Sequence, residues 1–355
     1  MGKEKQTVYV GMSGGVDSSL ATALLKEAGY NVIGVFIRAW EAPSVPCTWK
    51  DDRRDAMRVA AQLAIPFKTL DLSKEYKEEV VDYLISEYKA GRTPNPDVMC
   101  NKEIKFGKFF EWAMAEGADF VATGHYAEIK KDGEAFKMIM GHDQNKDQTY
   151  FLWTLKKEQL SHILFPIGHL DKREVRQEAE KRNLFTATKK DSQGVCFLGK
   201  LNMAEFLQNY LDIKLGIILN ENGEEIGVHD GVYFYTLGQR HGFTITQKTD
   251  HDTPYYIVGK DIEKNILVVA NTKEEGNLEQ KVIKLIDCNW NTDLPDSNKT
   301  YSCRYRYRGE LLPCSIKKEN NDWLVKLAEA KNDIASGQSL VVYEGDVCLG
   351  GGTIQ

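Results

Sequence analysis

Residues 8–19 read Val8-Tyr9-Val10-Gly11-Met12-Ser13-Gly14-Gly15-Val16-Asp17-Ser18-Ser19: an apolar run, a glycine-rich turn, then the start of a helical pattern. The run predicts a short buried strand. The helical pattern continues over 18–28, with Leu20, Ala21, Leu24 and Leu25 on one face and Gly29 as the stop. Strand, turn and helix in this order make a phosphate site. Adjacent glycines let backbone N–H groups converge on an anion, and the helix N-terminus adds a favourable dipole. Ser13, Ser18 and Ser19 bring hydroxyl donors, and Asp17 can cap the helix or hold a magnesium ion. The lysine of a Walker A loop and the spacing of a dinucleotide fingerprint are both missing. Taken alone, the turn is also compatible with a merely tight connection.

Outward from this loop, strands are predicted at 31–37, 66–72 and 120–123, with a helix over 52–63. Strands alternating with helices imply an α/β fold, a doubly wound parallel sheet. Residues 161–183 read as mainly helical and 186–198 as a loop, with helical spacing again over 203–211. Beyond about 200 the texture changes to short alternating strands, at 231–235, 255–258, 266–269 and repeatedly after 281. That pattern suits a small β-barrel or sandwich. The expected organisation is a catalytic domain over 1–200, a small α+β central domain over 201–270 and a C-terminal β-barrel over 271–355.

The 355 residues are 42% hydrophobic, enough for real cores, and no apolar run is long enough to span a bilayer. The polar start lacks a signal-peptide core, so a cytoplasmic protein without a membrane partner is expected. The seven cysteines are odd in number and widely spaced, without a CxxC pair, which argues against a disulfide framework, structural zinc and iron–sulfur clusters. No resident metal site is expected. The net charge of −6 does not advertise a nucleic-acid protein. The segment 299–318 is nonetheless basic (Lys299, Arg304, Arg306, Arg308, Lys317, Lys318 against Glu310), and a local patch suffices for a polyanion. Arg304, Arg306 and Arg308 alternate as if on one face of a strand, either a basic stripe for RNA or an ordinary solvated face.

Two cysteine segments carry further chemistry. In Thr93-Pro94-Asn95-Pro96-Asp97-Val98-Met99-Cys100-Asn101-Lys102, the prolines force an extended approach, Asp97 is a candidate N-cap, and Cys100 falls in the first helical turn. The dipole and Lys102 would lower that thiol's pKa. In Lys189-Lys190-Asp191-Ser192-Gln193-Gly194-Val195-Cys196-Phe197, a loop thiol follows two lysines and is a candidate nucleophile.

The Ser13–Ser18 loop after an N-terminal strand resembles the PP-loop of ATP pyrophosphatases. Nearly the whole chain resembles the tRNA-specific 2-thiouridylase (MnmA) family. The resemblance rests on GMSGGVDSS at 11–19, NPDVMCNKEIKFG at 95–107, ATGHYA at 122–127, KDQTYFL at 146–152, DSQGVCF at 191–197, YTLGQRHGF at 235–243, RYRYRG at 304–309 and SGQSLVVYEGDVCLGGG at 336–352.

The resemblance implies ATP as cosubstrate, with magnesium on its phosphates. It implies adenylation of the C2 oxygen of a wobble uridine, then sulfur transfer from a cysteine persulfide. Gly11, Met12, Ser13, Gly14, Gly15, Val16, Asp17 and Ser18 would grip ATP, with Ile37 and Gly124 lining the adenosine. Asn95, Pro96 and Asp97 would meet the target base. Cys196 would carry the persulfide and Cys100 would be its partner, a disulfide between them closing the cycle. His125, Lys146, Asp147, Gln148, Arg306, Tyr307 and Gln338 would contact tRNA. The implied partners are such a tRNA and a sulfur donor or relay protein.

Three positions depart from the family pattern: Ile37 where Met is frequent, His241 where Lys is common, and Ser336 in place of a usual Pro. The competing expectations are another PP-loop adenylating ligase and a catalytically silent tRNA-binding protein. A glutaminase nucleophile is not available at Gly2, and Asp17, Asp97, Cys100 and Cys196 are all present.

Overall fold

The computed structural model describes residues 5–42, 49–190, 203–246, 254–271, 280–320 and 322–355. Strand β1 (Thr7–Gly11) is followed by a helix over Val16–Glu27, then β2 (Asn31–Arg38), a helix over Trp49–Gln62 and β3 (Phe67–Asp71). A helical passage over 73–89 and 96–115 leads to β4 (Phe120–Ala122). The chain then makes a hairpin, β5 (Ala127–Asp132) and β6 (Ala135–Met140), and returns as β7 (Ile163–Leu164). The parallel sheet has the order β3-β2-β1-β4-β7. Val8, Tyr9 and Val10 are buried, as a central parallel strand covered on both faces requires. The sheet grows in one direction from β1 to β3 and in the other from β1 to β7. Such a reversal opens a crevice at the carboxyl ends of the strands, where α/β proteins bind ligands. The phosphate loop follows β1 there, and Gly124 follows β4.

The stretch 161–183, expected to be mainly helical, is 3-10 helical at 161–162 and α-helical only over Lys172–Lys181, where Asp171 and Glu174 form a reciprocal capping box. Ile163 and Leu164 instead pair with Val121 and Ala122, because an apolar pair ahead of Pro166 suits the open edge of a parallel sheet.

A short helix over Met203–Leu207 opens the central region, whose strands are β8 (Gly216–Leu219), β9 (Glu225–His229), β10 (Thr244–Ile245), β11 (Tyr256–Asp261) and β12 (Ile266–Ala270). Their order is β10-β9-β8-β12-β11, with β8 and β12 parallel. Ile218, Val232, Phe234 and Leu267 share one core cluster with Tyr76, Leu84, Cys100 and Ile104, so this region packs directly on the N-terminal helices. The strand expected at 231–235 is a 3-10 turn over Val232–Phe234. Gly231 enters it at φ +142°, and the Asn265 side chain accepts from Val232 N at 3.0 Å, which holds the turn against the alternating pattern.

The last strands are β13 (Gln280–Trp290), β14 (Thr300–Arg304), β15 (Leu312–Glu319), β16 (Asp322–Lys331), β17 (Ser339–Glu344) and β18 (Val347–Ile354). They run β13-β16-β15-β14-β17-β18, and β13 also pairs with β18, closing an antiparallel barrel. Leu285, Cys303, Ile316, Val325, Leu340 and Val342 belong to its core. The β5–β6 hairpin continues the barrel sheet beyond β18 through Val347↔Ile139 and Cys348↔Met138.

Candidate active site

The phosphate loop is held by its own hydroxyls. Ser18 Oγ accepts from Ser13 N at 3.2 Å and lies 3.3 Å from Ser13 Oγ, while Ser19 Oγ donates to the Gly15 carbonyl at 2.7 Å. Gly15 is the residue before the helix and has no side-chain cap, so the first N–H groups stay available to an anion. Gly14 adopts φ +76°, and a Cβ there would overlap the Asp52 carbonyl. Gly124 lets the end of β4 abut the helix start: a Cβ would stand 2.6 Å from Ser18 N and 2.7 Å from Asp17 C. Lys172 Nζ reaches both Asp17 oxygens, at 2.7 and 2.9 Å, and the Tyr126 hydroxyl donates to Asp17 Oδ1 at 2.7 Å. The Asp17 charge is therefore compensated beside the loop. Lys189 donates to the Gly14 carbonyl at 3.1 Å and to Asp52 and Asp55 at 2.8 Å each, so its charge is already matched by carboxylates. Ile37 lies half-buried near the end of β2.

The helix over 96–115 changes pitch: Pro96–Met99 is α-helical, Cys100–Lys108 π-helical and Phe109–Ala115 α-helical. A π segment widens the turn and recurs at functional sites. The N-cap lies two residues earlier than the sequence predicts. Asn95, not Asp97, caps the helix, its Oδ1 accepting from Asp97 N at 3.1 Å and Val98 N at 3.3 Å. Only Asn95 precedes Pro96, which takes the first helical position because it has no N–H to satisfy. The Asp97 carboxyl is thereby freed from capping. Burial raises its pKa above the ordinary carboxylate value, and the Lys105 charge opposes that rise. Cys100 is buried at the entry to the π segment.

Lys105, one wide turn further along, places Nζ 3.4 Å from His125 Nε2, and His125 Nδ1 lies 2.7 Å from Thr123 Oγ1. The ammonium must donate, so Nε2 accepts and the ring proton sits on Nδ1, donated to Thr123. Burial, reinforced by Lys105, holds His125 well below its ordinary pKa, so it is neutral. Phe106 and Phe165 wall the ring, each with its centroid 5.9 Å away.

The residues expected to touch RNA sit at two depths. Asp147 is buried, accepts from Gly141 N, Thr149 N and Thr149 Oγ1, and pairs with buried Arg304 at 3.1 Å. The basic stripe is corrected: β14 ends at Arg304, whose side chain points inward, and Arg306 and Arg308 lie in the turn beyond it. Arg308 at φ +59° breaks the alternation on which the stripe depended. Arg306 pairs with Asp333 at 2.9 Å while remaining 41% exposed, and Arg308 lies 5.2 Å over the Tyr307 ring. Tyr307 rests against Phe151 with ring centroids 4.4 Å apart. Gln148 Oε1 accepts from Tyr126 N at 3.0 Å, Lys146 is half-buried, and Gln338 Nε2 donates to the Thr93 carbonyl at 2.8 Å.

Cys196 and the segment 191–202 lie outside the described residues. Among the described residues, Cys288, Cys303, Cys314 and Cys348 are free thiols, and no three His, Cys, Asp or Glu side chains cluster as metal ligands. Sequence reading missed Lys172 and Tyr126 at Asp17, and Lys105 at His125. Lys105 stood inside a quoted motif, but nothing local marks Lys172, 155 positions from its partner.

Three family models cover the chain: the tRNA methyl transferase HUP domain over residues 6–200, the tRNA methyl transferase PRC-barrel domain over 204–271 and the aminomethyltransferase beta-barrel domain over 280–354. A tRNA-specific 2-thiouridylase MnmA of Halalkalibacterium halodurans is 46% identical, over 99% of this chain and 95% of its own.

The chain belongs to the MnmA family of tRNA-specific 2-thiouridylases. MnmA proteins of Geobacillus thermodenitrificans (47% identical, 98% of this chain and 94% of its own) and Streptococcus thermophilus (45%, 99% and 95%) match at the same level. The first two models carry methyl transferase in their descriptions, whereas these MnmA relatives are named for thiolation. The PP-loop and the cysteine-bearing helix accord with the latter.

Proposed function

We propose that the protein is an ATP-dependent tRNA-uridine 2-sulfurtransferase of the cytoplasm. The observation that carries this reading is the stretch 123–126 at the end of β4. Gly124 packs on the backbone of Asp17 and Ser18, Tyr126 bonds Asp17, and His125 meets Lys105 on the helix of Asp97 and Cys100. A phosphate loop and a cysteine-bearing helix are thus joined by one short segment, as adenylation followed by sulfur transfer requires.

ATP would lie across the loop 11–18 with Ile37 and Gly124 beside the adenosine. Magnesium would be held by the phosphates, with Asp17, beside the loop, as a carboxylate that could share it. The uridine O2 attacks the α-phosphorus; the O–P bond forms as pyrophosphate leaves. Half-buried Asp97, with its raised pKa, is suited to positioning the base or moving its proton. The terminal sulfur of a Cys196 persulfide attacks C2. The Cys100 thiolate attacks the inner sulfur, the S–S bond breaks, and AMP departs with the former O2. The Cys100–Cys196 disulfide that remains is reduced by an external thiol. Asn95 and Pro96 face the base, while His125, Lys146, Asp147, Gln148, Arg306, Tyr307 and Gln338 form or support the RNA surface. A relay protein would deliver the sulfur.

The test is incubation with ATP, magnesium, a persulfide donor and unmodified tRNA, followed by digestion and mass spectrometry. Wild type should yield 2-thiouridine only with ATP, and Cys100→Ser or Cys196→Ser should yield none. Adenylation of an amino acid without any change in tRNA would establish the ligase reading instead.

A further inference from the structure

Residues 91–94 link the helix over 73–89 to Asn95, and both C-terminal regions grip this link. From the central region, Lys260 Nζ donates to the carbonyls of Gly91 at 3.2 Å and Tyr235 at 2.7 Å. The Thr93 and Thr236 hydroxyls lie 3.3 Å apart. From the barrel, Thr93 N donates to the Ser336 carbonyl at 2.8 Å, and Gln338 Nε2 donates to the Thr93 carbonyl at 2.8 Å. The contact has no slack. A Cβ at Gly91 would overlap the Ile262 side chain, and one at Gly337 (φ +89°) would stand 3.0 Å from both Arg92 Cβ and Thr93 N.

Lys260 is an odd choice for stability alone. Desolvation brings its ammonium down to about 8, and among the described residues no carboxylate pairs with it. A desolvated cation that meets only carbonyls is costly, and a methionine would fill the same space without that cost. What the lysine adds is a fixed pair of donors bridging two chain segments.

We propose that Lys260 and Gln338 are positioning residues: from two separate regions they fix residues 91–94 and so set where Asn95, Pro96 and Asp97 meet the target base. The inference rests on the thiolation reading above. Its consequence is that the RNA-binding regions and the base-binding segment form one rigid unit, and Gln338 acts on protein backbone as well as lying at the RNA surface.

The test compares Lys260→Met and Gln338→Ala with wild type by amide hydrogen exchange at Thr93, Asp97 and Val98, by single-turnover thiolation at saturating tRNA and by tRNA binding. Each variant should speed exchange about tenfold and slow the single turnover about tenfold, and Lys260→Met, which is remote from the RNA surface residues, should keep tRNA affinity within about twofold. Unchanged exchange in either variant overturns the proposal, as does a loss for Lys260→Met expressed wholly in tRNA affinity. Should Lys260→Met fail to fold, Lys260→Gln, which retains one donor group, is expected to lie between. If wild type makes no 2-thiouridine, the functional reading falls, while the exchange arm still decides whether these residues hold the link.

Discussion

Lys172 closes on Asp17, its Nζ 2.7 and 2.9 Å from the two carboxylate oxygens, beside the glycine-rich loop proposed to take the ATP phosphates. Uncompensated, a carboxylate at this place would repel phosphate. With Lys172 and the Tyr126 hydroxyl on it, Asp17 stays close without opposing the ligand.

Replacing Lys172 by Met should therefore raise the apparent KM for ATP about tenfold, on the order of 1.4 kcal/mol for an ion pair that is mostly out of solvent. Turnover at saturating ATP should fall less. ATP titration of pyrophosphate release measures both, and an unchanged KM would remove Lys172 from the phosphate site.

Gly124→Ala introduces a methyl against the backbone of Asp17 and Ser18, which cannot yield as a side-chain tip would. The strain is expected to destabilise the fold by about 1–3 kcal/mol. ATP-dependent steps should suffer most, since the loop itself is displaced. Thermal melting together with pyrophosphate release checks the two effects separately.

The two acid–arginine pairs around the barrel turn should behave oppositely. Asp147→Ala strands the buried Arg304 charge and should cost about 3–5 kcal/mol in urea unfolding. Arg306→Ala breaks an exposed pair with Asp333 and should cost at most about 1 kcal/mol, while weakening tRNA binding and lowering its salt dependence.

Asp97 has a pH signature. Its folded pKa is raised by burial, so the folded state binds this proton more tightly than the unfolded chain does. The ionised carboxylate therefore opposes folding above its folded pKa, and the penalty vanishes as pH falls toward and below the ordinary value of 3.8. Asp97→Asn should be more stable than wild type at neutral pH, with the gain fading under acid. Thiolation should nonetheless drop about a hundredfold. Melting curves at several pH values, with turnover, distinguish this from a purely structural carboxylate.

Much of this architecture was legible because its signals are local. The run 8–10, the two glycines and the helical stripe after them share one window, and the sheet grows from that window. The Val232–Phe234 turn was misread because its alternation is a genuine strand pattern; the Asn265 side chain and the conformation of Gly231 override it. Arg306 and Arg308 were misread for the same reason, since a left-handed Arg308 cannot be seen in a run of alternating charges. The pairings Lys172–Asp17 and Lys105–His125 depend on how separate elements meet at the end of β4, and no spacing encodes that.

The β5–β6 hairpin has a consequence for how such a protein is inherited. Its strands lie well before the midpoint of the chain yet extend the barrel sheet of the last third through β18. Separating the two ends leaves two strand edges unsatisfied, the hairpin's on one fragment and that of β18 on the other. Recombination that swapped only the C-terminal barrel would have to bring a β18 that fits the resident hairpin. The gene is therefore expected to travel and diverge as a whole, with hairpin and barrel changing in step.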